Sequence, residues 1–183
     1  MIEVREIGLG VREIRVPRFG DERGFFSETW NAGTWRQAGL DLLFVQDNHS
    51  LSAEPGTVRG LHYQLPPTPQ LKLVRVTRGA VFDVAVDVRR SSRTFGQWVG
   101  LVLSAREWNQ ILVPEGFAHG FMTLEPDTEV QYKVSAPYSA ADERVIRYDD
   151  PAVGIEWPDP GNAAILSAKD QAAPSLADAE VFA

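Results

Sequence analysis

The sequence predicts an all-β fold of the jelly-roll type. Short apolar or alternating stretches follow one another at close intervals, whereas helical periodicity is weak. In the clearest stretch, Ala80–Val88, the even positions are all apolar, while Asp83 and Asp87 share the other face with Val81 and Ala85. Many short strands in a chain of 183 residues favour a sandwich or barrel, for which the jelly roll is the usual solution.

The apolar pattern predicts a series of strands from Leu71 onwards. Arg78 and Gly79 predict a tight turn between the first two strands. A short helix is expected near Asn31–Ala38, with a helical turn near Lys169. We find no repeat, low-complexity tract or linker-like break, so one domain is expected over residues 1–183. The predicted strands are Leu71–Thr77, Ala80–Val88, Gln97–Leu103, Gln110–Val113, His119–Leu124 and Glu129–Val134.

Composition and charge exclude several classes of protein. The 18 Lys and Arg residues against 25 Asp and Glu residues leave a formal net charge of -7. Nucleic acid is therefore not an expected partner, because proteins that neutralise phosphates normally carry a basic surplus. The lack of cysteine excludes disulfide scaffolds, cysteine nucleophiles and thiolate metal sites. With no signal-peptide pattern and no apolar run near the roughly 18 residues of a membrane span, we expect a cytoplasmic protein.

Two histidines lie where jelly-roll proteins often place metal ligands. Such sites carry a His-x-His pair and a carboxylate on one segment, with a further histidine after a Pro-x-Gly turn. Here the first segment reads His62-Tyr63-Gln64, and His119 follows the turn Pro114–Gly116. Because the second imidazole is missing, the sequence predicts no metal site and favours metal-free acid–base chemistry in the same pocket.

Strand alternation places two polar side chains on apolar faces. Tyr132 shares a face with Val130 and Val134, which fits either a core tyrosine or a proton donor that faces a ligand. Lys72 points inward in the same way. A buried lysine needs an anion, and a ligand oxygen, a diphosphate or Asp83 could supply it.

Arg59 and His62 are three residues apart, so on a regular strand they would face opposite sides. They enter one pocket only if the strand bulges. Gly60, which tolerates backbone conformations that other residues avoid, is the expected position of that bulge.

Beyond these features, a series of segments in the same order resembles the dTDP-4-dehydrorhamnose 3,5-epimerase family. The resemblance runs from Asp21 to Leu176, and the segment Ser135–Ala141 is less distinctive than the rest. The matching segments are residues 21–28, 44–50, 58–64, 72–76, 81–88, 114–121, 132–133 and 166–170.

The resemblance implies a metal-free and cofactor-free enzyme with a cupin-type jelly roll. Its reaction would invert C3 and C5 of dTDP-4-keto-6-deoxy-D-glucose through enolates, giving dTDP-4-keto-L-rhamnose. His62 would be the proton acceptor, Tyr132 the proton donor, and Asp170 the carboxylate that orients the base. Lys72 is our candidate for holding the enolate oxygen. The implied substrate-binding residues are Arg23, Phe26, Glu28, Gln46, Asn48, Arg59, His119, Tyr138, Glu143 and Lys169.

The resemblance also implies a homodimer in which an N-terminal segment of one subunit completes the neighbour's site. Arg23 and Glu28 would then act across the interface, and Phe26 and Tyr138 would sandwich the thymine. Three other functions are weighed against the 3,5-epimerase: a monoepimerase acting at C3 or C5, a non-catalytic sugar-nucleotide-binding cupin, and a metal-dependent cupin enzyme.

Overall fold

The computed structural model describes residues Met1 to Ala183 and contains thirteen strands and two short helices. The helices are α1 (Ala32–Gln37) and α2 (Ala168–Gln171). The strands are β1 (Glu3–Gly8), β2 (Val11–Arg15), β3 (Phe19–Asp21), β4 (Gly24–Phe26), β5 (Gln46–Ser52), β6 (Val58–Gln64), β7 (Lys72–Arg78), β8 (Ala80–Asp87), β9 (Trp98–Ser104), β10 (Asn109–Val113), β11 (Phe117–Thr123), β12 (Thr128–Val134) and β13 (Glu143–Val145).

The strands form two antiparallel sheets and one separate hairpin. The larger sheet has the order β1-β2-β10-β7-β12-β5, and the smaller sheet has the order β13-β6-β11-β8-β9. Strands β3 and β4 pair only with each other. Buried residues from both sheets pack together, among them Val74 and Ile111 of the larger sheet and Val81 and Leu103 of the smaller one. The predicted all-β jelly roll is therefore confirmed.

Both outer faces of this sandwich are also covered. On the larger sheet, Trp35 of α1 packs against Ile14 and Leu73. On the smaller sheet, the C-terminal segment brings Leu176 against Val86. Because both faces of the central strands are covered, apolar side chains point to both sides of these strands. The alternation of apolar and polar residues along their sequence is therefore weak. Neither helix has the length or apolar character needed to cross a membrane.

The predicted elements all appear, with ends that differ by one or two residues. Asn31 caps α1, since its side chain accepts hydrogen bonds from two backbone N–H groups, and Ala38 closes the helix. The turn at Gly79, where φ is +75°, leads from β7 in the larger sheet to β8 in the smaller one. Strands β1 to β5 and β13 were not predicted, because they are short or rich in polar residues. Strand β6 entered the prediction only through the alternation of Arg59 and His62.

Candidate active site

A cavity of about 460 Å³ opens between the two sheets, large enough for a sugar nucleotide's reactive part. Strands β6, β7, β11 and β12 supply its walls, and α2 with the segment before β13 supplies its mouth. Nine of the fourteen predicted site residues line it: Arg59, His62, Lys72, His119, Tyr132, Tyr138, Glu143, Lys169 and Asp170.

A bulge in β6 brings Arg59 and His62 into the same cavity. His62 pairs with His119 on β11, while Arg59 pairs with Phe121, so three steps on one strand match two on the other. Gly60, inside the bulge, has φ of +141°. A Cβ atom there would lie 2.5 Å from the Cα of Gly120. The predicted bulge at Gly60 is confirmed, and close strand packing requires glycine at this position.

His62 is held by a carboxylate from a distant part of the chain. Its Nε2 lies 2.6 Å from Asp170 Oδ1, which leaves Nδ1 as the ring nitrogen available to a ligand. Burial opposes ionisation of Asp170. The hydrogen bond and charge of His62, with a hydrogen bond from Ser167, outweigh this effect and lower the pKa of the carboxyl. The pair therefore favours a charged imidazole after proton uptake.

Lys72 lies inside the sandwich, as strand alternation predicted, and is 7% exposed. Its Nζ donates a hydrogen bond to the backbone oxygen of His62 at 3.1 Å. Burial lowers the pKa of Lys72 to about 8, although the charges of Asp83 and Glu143 favour the ammonium form. A cation thus lies beside His62 in a largely water-excluded place, where it can stabilise a developing oxyanion.

A second histidine–carboxylate pair lies deeper in the cavity. His119 Nε2 lies 2.9 and 3.0 Å from the two carboxylate oxygens of Asp83, and both side chains are buried. Burial raises the pKa of Asp83 despite the opposing effects of His119 and Lys72. Asp83 therefore interacts with two cavity residues. It pairs directly with His119, and its charge favours the ammonium form of Lys72.

Tyr132 enters the cavity from the opposite sheet. Val130 and Val134 on the same face are buried, which confirms the predicted orientation. The tyrosine hydroxyl makes no hydrogen bond with the protein, unlike that of a satisfied core tyrosine such as Tyr63. Burial raises the pKa of Tyr132 above its ordinary value, so the phenol keeps its proton near neutral pH.

Comparison with known proteins places the chain in a family. The profile of the dTDP-4-dehydrorhamnose 3,5-epimerase family matches residues 8–178. The enzyme of that name from Sinorhizobium fredii is 55% identical over 171 residues, which span 93% of this chain and 87% of that protein. The enzyme of the same name from Shigella flexneri is 51% identical over 165 residues, which span 90% of each chain.

The chain belongs to the dTDP-4-dehydrorhamnose 3,5-epimerase family.

Solved structures with family names have the same fold. A Bacillus anthracis structure of dTDP-4-dehydrorhamnose 3,5-epimerase, with TDP and PPi bound, superposes with a TM-score of 0.91 at 45% identity and covers 96% of this chain and 99% of that chain. A 3'-monoepimerase from Streptomyces bikiniensis, in complex with dTDP-quinovose, is more distant. Its TM-score is 0.84 at 35% identity, with 92% of this chain and 84% of that chain covered.

Three family-implied residues at the mouth of the cavity form a chain of contacts. The Tyr138 hydroxyl donates to Glu143 Oε2 at 2.8 Å, and Lys169 forms an ion pair with the other carboxylate oxygen of Glu143. Burial opposes ionisation of Glu143, but the bonds from Lys169 and Tyr138 lower its pKa. Tyr138 is 57% exposed, so its ring is accessible to a flat ligand.

Gln46 and Asn48 lie on β5 beside the cavity. They share one face of that strand with Ser50, which lines the cavity, and Gln46 Nε2 donates to Asn48 Oδ1 at 2.9 Å. Gln46 also accepts a hydrogen bond from the backbone N–H of Tyr138. Both side chains thus lie close to the mouth, where a ligand that fills the cavity can reach them.

Three further family-implied residues lie outside the cavity. Arg23 pairs with Asp21 at the tip of the hairpin formed by β3 and β4, and the Phe26 ring on the same hairpin is 71% exposed. Glu28 bonds the side chain of Asn31 at the start of α1. Within one chain these residues are not brought to His62, so their role in binding stays a prediction.

Sequence reasoning missed two polar residues in the cavity wall. Gln64 was considered only as a poor metal ligand, but its buried amide bonds a neighbouring loop. Ser167 caps α2 and donates to Asp170 Oδ2 at 2.8 Å. The pattern Ser167-x-x-Asp170 is a helix-start signal that could have revealed the second residue.

No group of three or more His, Cys, Asp or Glu residues is arranged to hold a metal ion.

Proposed function

We propose that this protein inverts C3 and C5 of dTDP-4-keto-6-deoxy-D-glucose and forms dTDP-4-keto-L-rhamnose. The observation that carries the proposal is the convergence of His62, Lys72 and Tyr132 on one cavity. Family membership supplies the substrate class: the relatives carry this activity in their names, and a Legionella pneumophila structure at 43% identity was determined in complex with dTDP-4-keto-L-rhamnose.

The first chemical step is removal of a proton from a carbon next to the C4 ketone. The carbanion is accessible only because its charge moves to the ketone oxygen as an enolate. His62 takes the proton through Nδ1, since Nε2 bonds Asp170. The Lys72 ammonium donates a hydrogen bond to the enolate oxygen, and loss of such a donor commonly costs about 10²–10³ in rate.

Inversion then requires a proton on the opposite face of the sugar ring. Tyr132 projects from the larger sheet, across the cavity from His62 in the smaller one. Its phenol donates a proton to the carbon, the enolate collapses to the ketone, and the step leaves a phenolate and an imidazolium. Proton exchange with solvent restores both groups, so the second carbon can pass through the same cycle. Neither half of the reaction changes the oxidation state of the sugar.

Basic side chains near the cavity suit a diphosphate in an otherwise acidic protein. Arg59 is exposed at the mouth, and its guanidinium is oriented by hydrogen bonds to Ser52 Oγ and the Leu51 backbone oxygen. A planar guanidinium can bind two phosphate oxygens at once. Lys169 lies at the same mouth, and Gln46, Asn48 and His119 supply further polar contacts.

We further propose a single-domain cytoplasmic enzyme that acts as a homodimer without metal or other cofactor. The exposed positions of Arg23, Phe26 and Glu28 outside their own cavity support binding across the interface. Mixing inactive His62→Ala and Arg23→Ala proteins tests this point. In mixed dimers one site combines the two intact halves, so activity should return. No recovery in dimers verified by sedimentation would exclude shared sites.

The deciding experiment follows the product in deuterated water. Purified protein is incubated with dTDP-4-keto-6-deoxy-D-glucose, and a downstream ketoreductase traps the product for stereochemical assignment. Deuterium and inversion at both carbons support the proposal, whereas one inverted centre identifies a monoepimerase. Loss of turnover in His62→Ala with retained nucleotide binding is expected. Binding without turnover by the wild type would indicate a non-catalytic protein, and activity abolished by chelation would indicate a metal enzyme.

A further inference from the structure

The loop between β12 and β13, residues 135–142, carries Tyr138 at the mouth of the cavity. We call it the rim loop. It contains no regular secondary structure, so its backbone N–H and C=O groups need partners from other parts of the chain. Those partners determine where the Tyr138 ring stands, because the ring itself is more than half exposed.

Gln64 supplies the largest share of these partners. Its Oε1 accepts a hydrogen bond from the Ser139 backbone N–H at 2.9 Å, and its Nε2 donates to the Pro137 backbone oxygen at 3.2 Å. The two bonds bracket Tyr138 in the sequence. Gln64 therefore holds the rim loop on both sides of the residue that faces the ligand.

Two other glutamines complete the clamp. Gln70 Nε2 donates to the Ala136 backbone oxygen at 2.8 Å, and Gln46 Oε1 accepts from the Tyr138 backbone N–H at 2.9 Å. Four consecutive rim-loop residues are thus bonded by side chains from β5, β6 and the segment before β7. Such a clamp orders the loop before a ligand arrives, which reduces the entropy lost on binding.

The Gln64 amide has no donor left for a ligand. Its Nε2 also donates to the Thr68 backbone oxygen at 2.7 Å, so both N–H groups have protein partners. The residue is 2% exposed although it lines the cavity wall. This arrangement excludes a direct contact role for the amino group and leaves positioning of the rim loop as its function.

We infer that Gln64 is a positioning residue that sets nucleotide affinity by holding Tyr138 in its binding position. The inference rests on the proposed function and on the position against the thymine that the family resemblance implies for Tyr138. His62, Lys72 and Tyr132 lie on strands β6, β7 and β12, outside the rim loop. Loss of the clamp should therefore raise KM and leave kcat nearly unchanged.

The test variant is Gln64→Glu, which keeps the size of the side chain and an acceptor for Ser139. It replaces the amino group with an oxygen that faces the carbonyl oxygens of Pro137 and Thr68. We expect the KM for the sugar nucleotide and the Kd for dTDP, measured by calorimetry, to rise about tenfold, with kcat within about threefold of wild type. Gln70→Glu breaks the neighbouring bond, should act in the same direction, and serves if the first variant does not fold.

Asn109→Asp is the matched control, since it makes the same amide-to-acid change at another buried site. Asn109 is 2% exposed and donates to Glu13 and to the Val102 backbone oxygen, away from the cavity. It should lower the melting temperature and leave KM and the Kd for dTDP unchanged. An equal rise of KM in this control would show a general effect of destabilisation and overturn the inference.

A double-mutant comparison tests whether the effect passes through Tyr138. In a Tyr138→Ala background, Gln64→Glu should weaken dTDP binding by less than about twofold, because the ring that it positions is gone. An unchanged KM in Gln64→Glu, or the same weakening in both backgrounds, would overturn the inference. A wild-type protein that binds dTDP without turnover would instead overturn the proposed epimerase activity, while the binding measurements would still test the clamp.

Discussion

Replacing Asp170 with asparagine removes one charge from the candidate active site without a change in size. In the wild type, Asp170 Oδ1 lies 2.6 Å from His62 Nε2, and the aspartate side chain is 4% exposed. The asparagine oxygen can still accept an uncharged hydrogen bond from this nitrogen. What disappears is the charge that, in the proposed mechanism, stabilises the imidazolium formed when His62 takes a proton from the sugar.

The size of the effect follows from this geometry. A hydrogen bond to a charged group contributes about 1.5–3 kcal/mol, which corresponds to about a 10- to 150-fold change in the rate of deprotonation. His62 is 30% exposed, so water screens part of the interaction, and we expect a decrease of about 10- to 50-fold. KM should change little, because Asp170 lies behind the imidazole and not between it and the ligand.

The assay is incorporation of solvent deuterium at C3 and C5 of dTDP-4-keto-6-deoxy-D-glucose, followed by NMR at saturating substrate. Asp149→Asn is the matched control. Its carboxylate is 46% exposed and bonds Arg147, so exchange should stay within about twofold of wild type. An Asp170→Asn protein that exchanges within about threefold of wild type, or that loses nucleotide binding instead of rate, would refute the proposed dyad.

Three further predictions concern Lys72, Tyr132 and Asp87. The wild-type kcat/KM should fall above pH about 8, because burial lowers the pKa of Lys72 to about 8 and only its ammonium form can hold an oxyanion. A pH–rate profile that stays flat to roughly pH 9.5 would contradict this. Tyr132→Phe should retain deuterium exchange and lose inversion, as NMR of the product would show, and wild-type inversion would exclude the phenol as donor. Asp87→Asn should destabilise the fold by about 2–3 kcal/mol at pH 7, measured by urea unfolding. Burial opposes ionisation of Asp87, but bonds from Arg89 and two hydroxyl groups hold its pKa far below its ordinary value. That stabilisation exists above the unfolded pKa of about 4 and is lost as the pH falls, so the difference from wild type should shrink below this pH, and a constant difference would contradict the account.

The edge strand β5 shows where sequence patterns fail. Its sequence alternates Gln46, Asn48 and Ser50 with Asp47 and His49, so neither face is apolar. The inward face is polar because it borders a cavity, and the outward face is polar because it is exposed. Strand propensity reflects packing against apolar neighbours. A strand that lines a binding site at a sheet edge is therefore hard to predict from its sequence.

Strand alternation is a local property of the sequence. It correctly predicted that Lys72 and Tyr132 point inward and that the strand bulges at Gly60. The order of many matching segments along the chain was sufficient to recognise the family. By contrast, the His62–Asp170 pair joins residues 108 positions apart, and Asp83 meets His119 across 36 positions. Such pairs depend on which strands and helices become neighbours when the chain folds: α2 packs against β6, and β8 pairs with β11. The family resemblance implied Asp170 as the partner of His62, but the local pattern around either residue does not. The choice of neighbours minimises the free energy of the whole chain, so the tertiary structure decides that Asp83 pairs with His119 and which loop Gln64 holds.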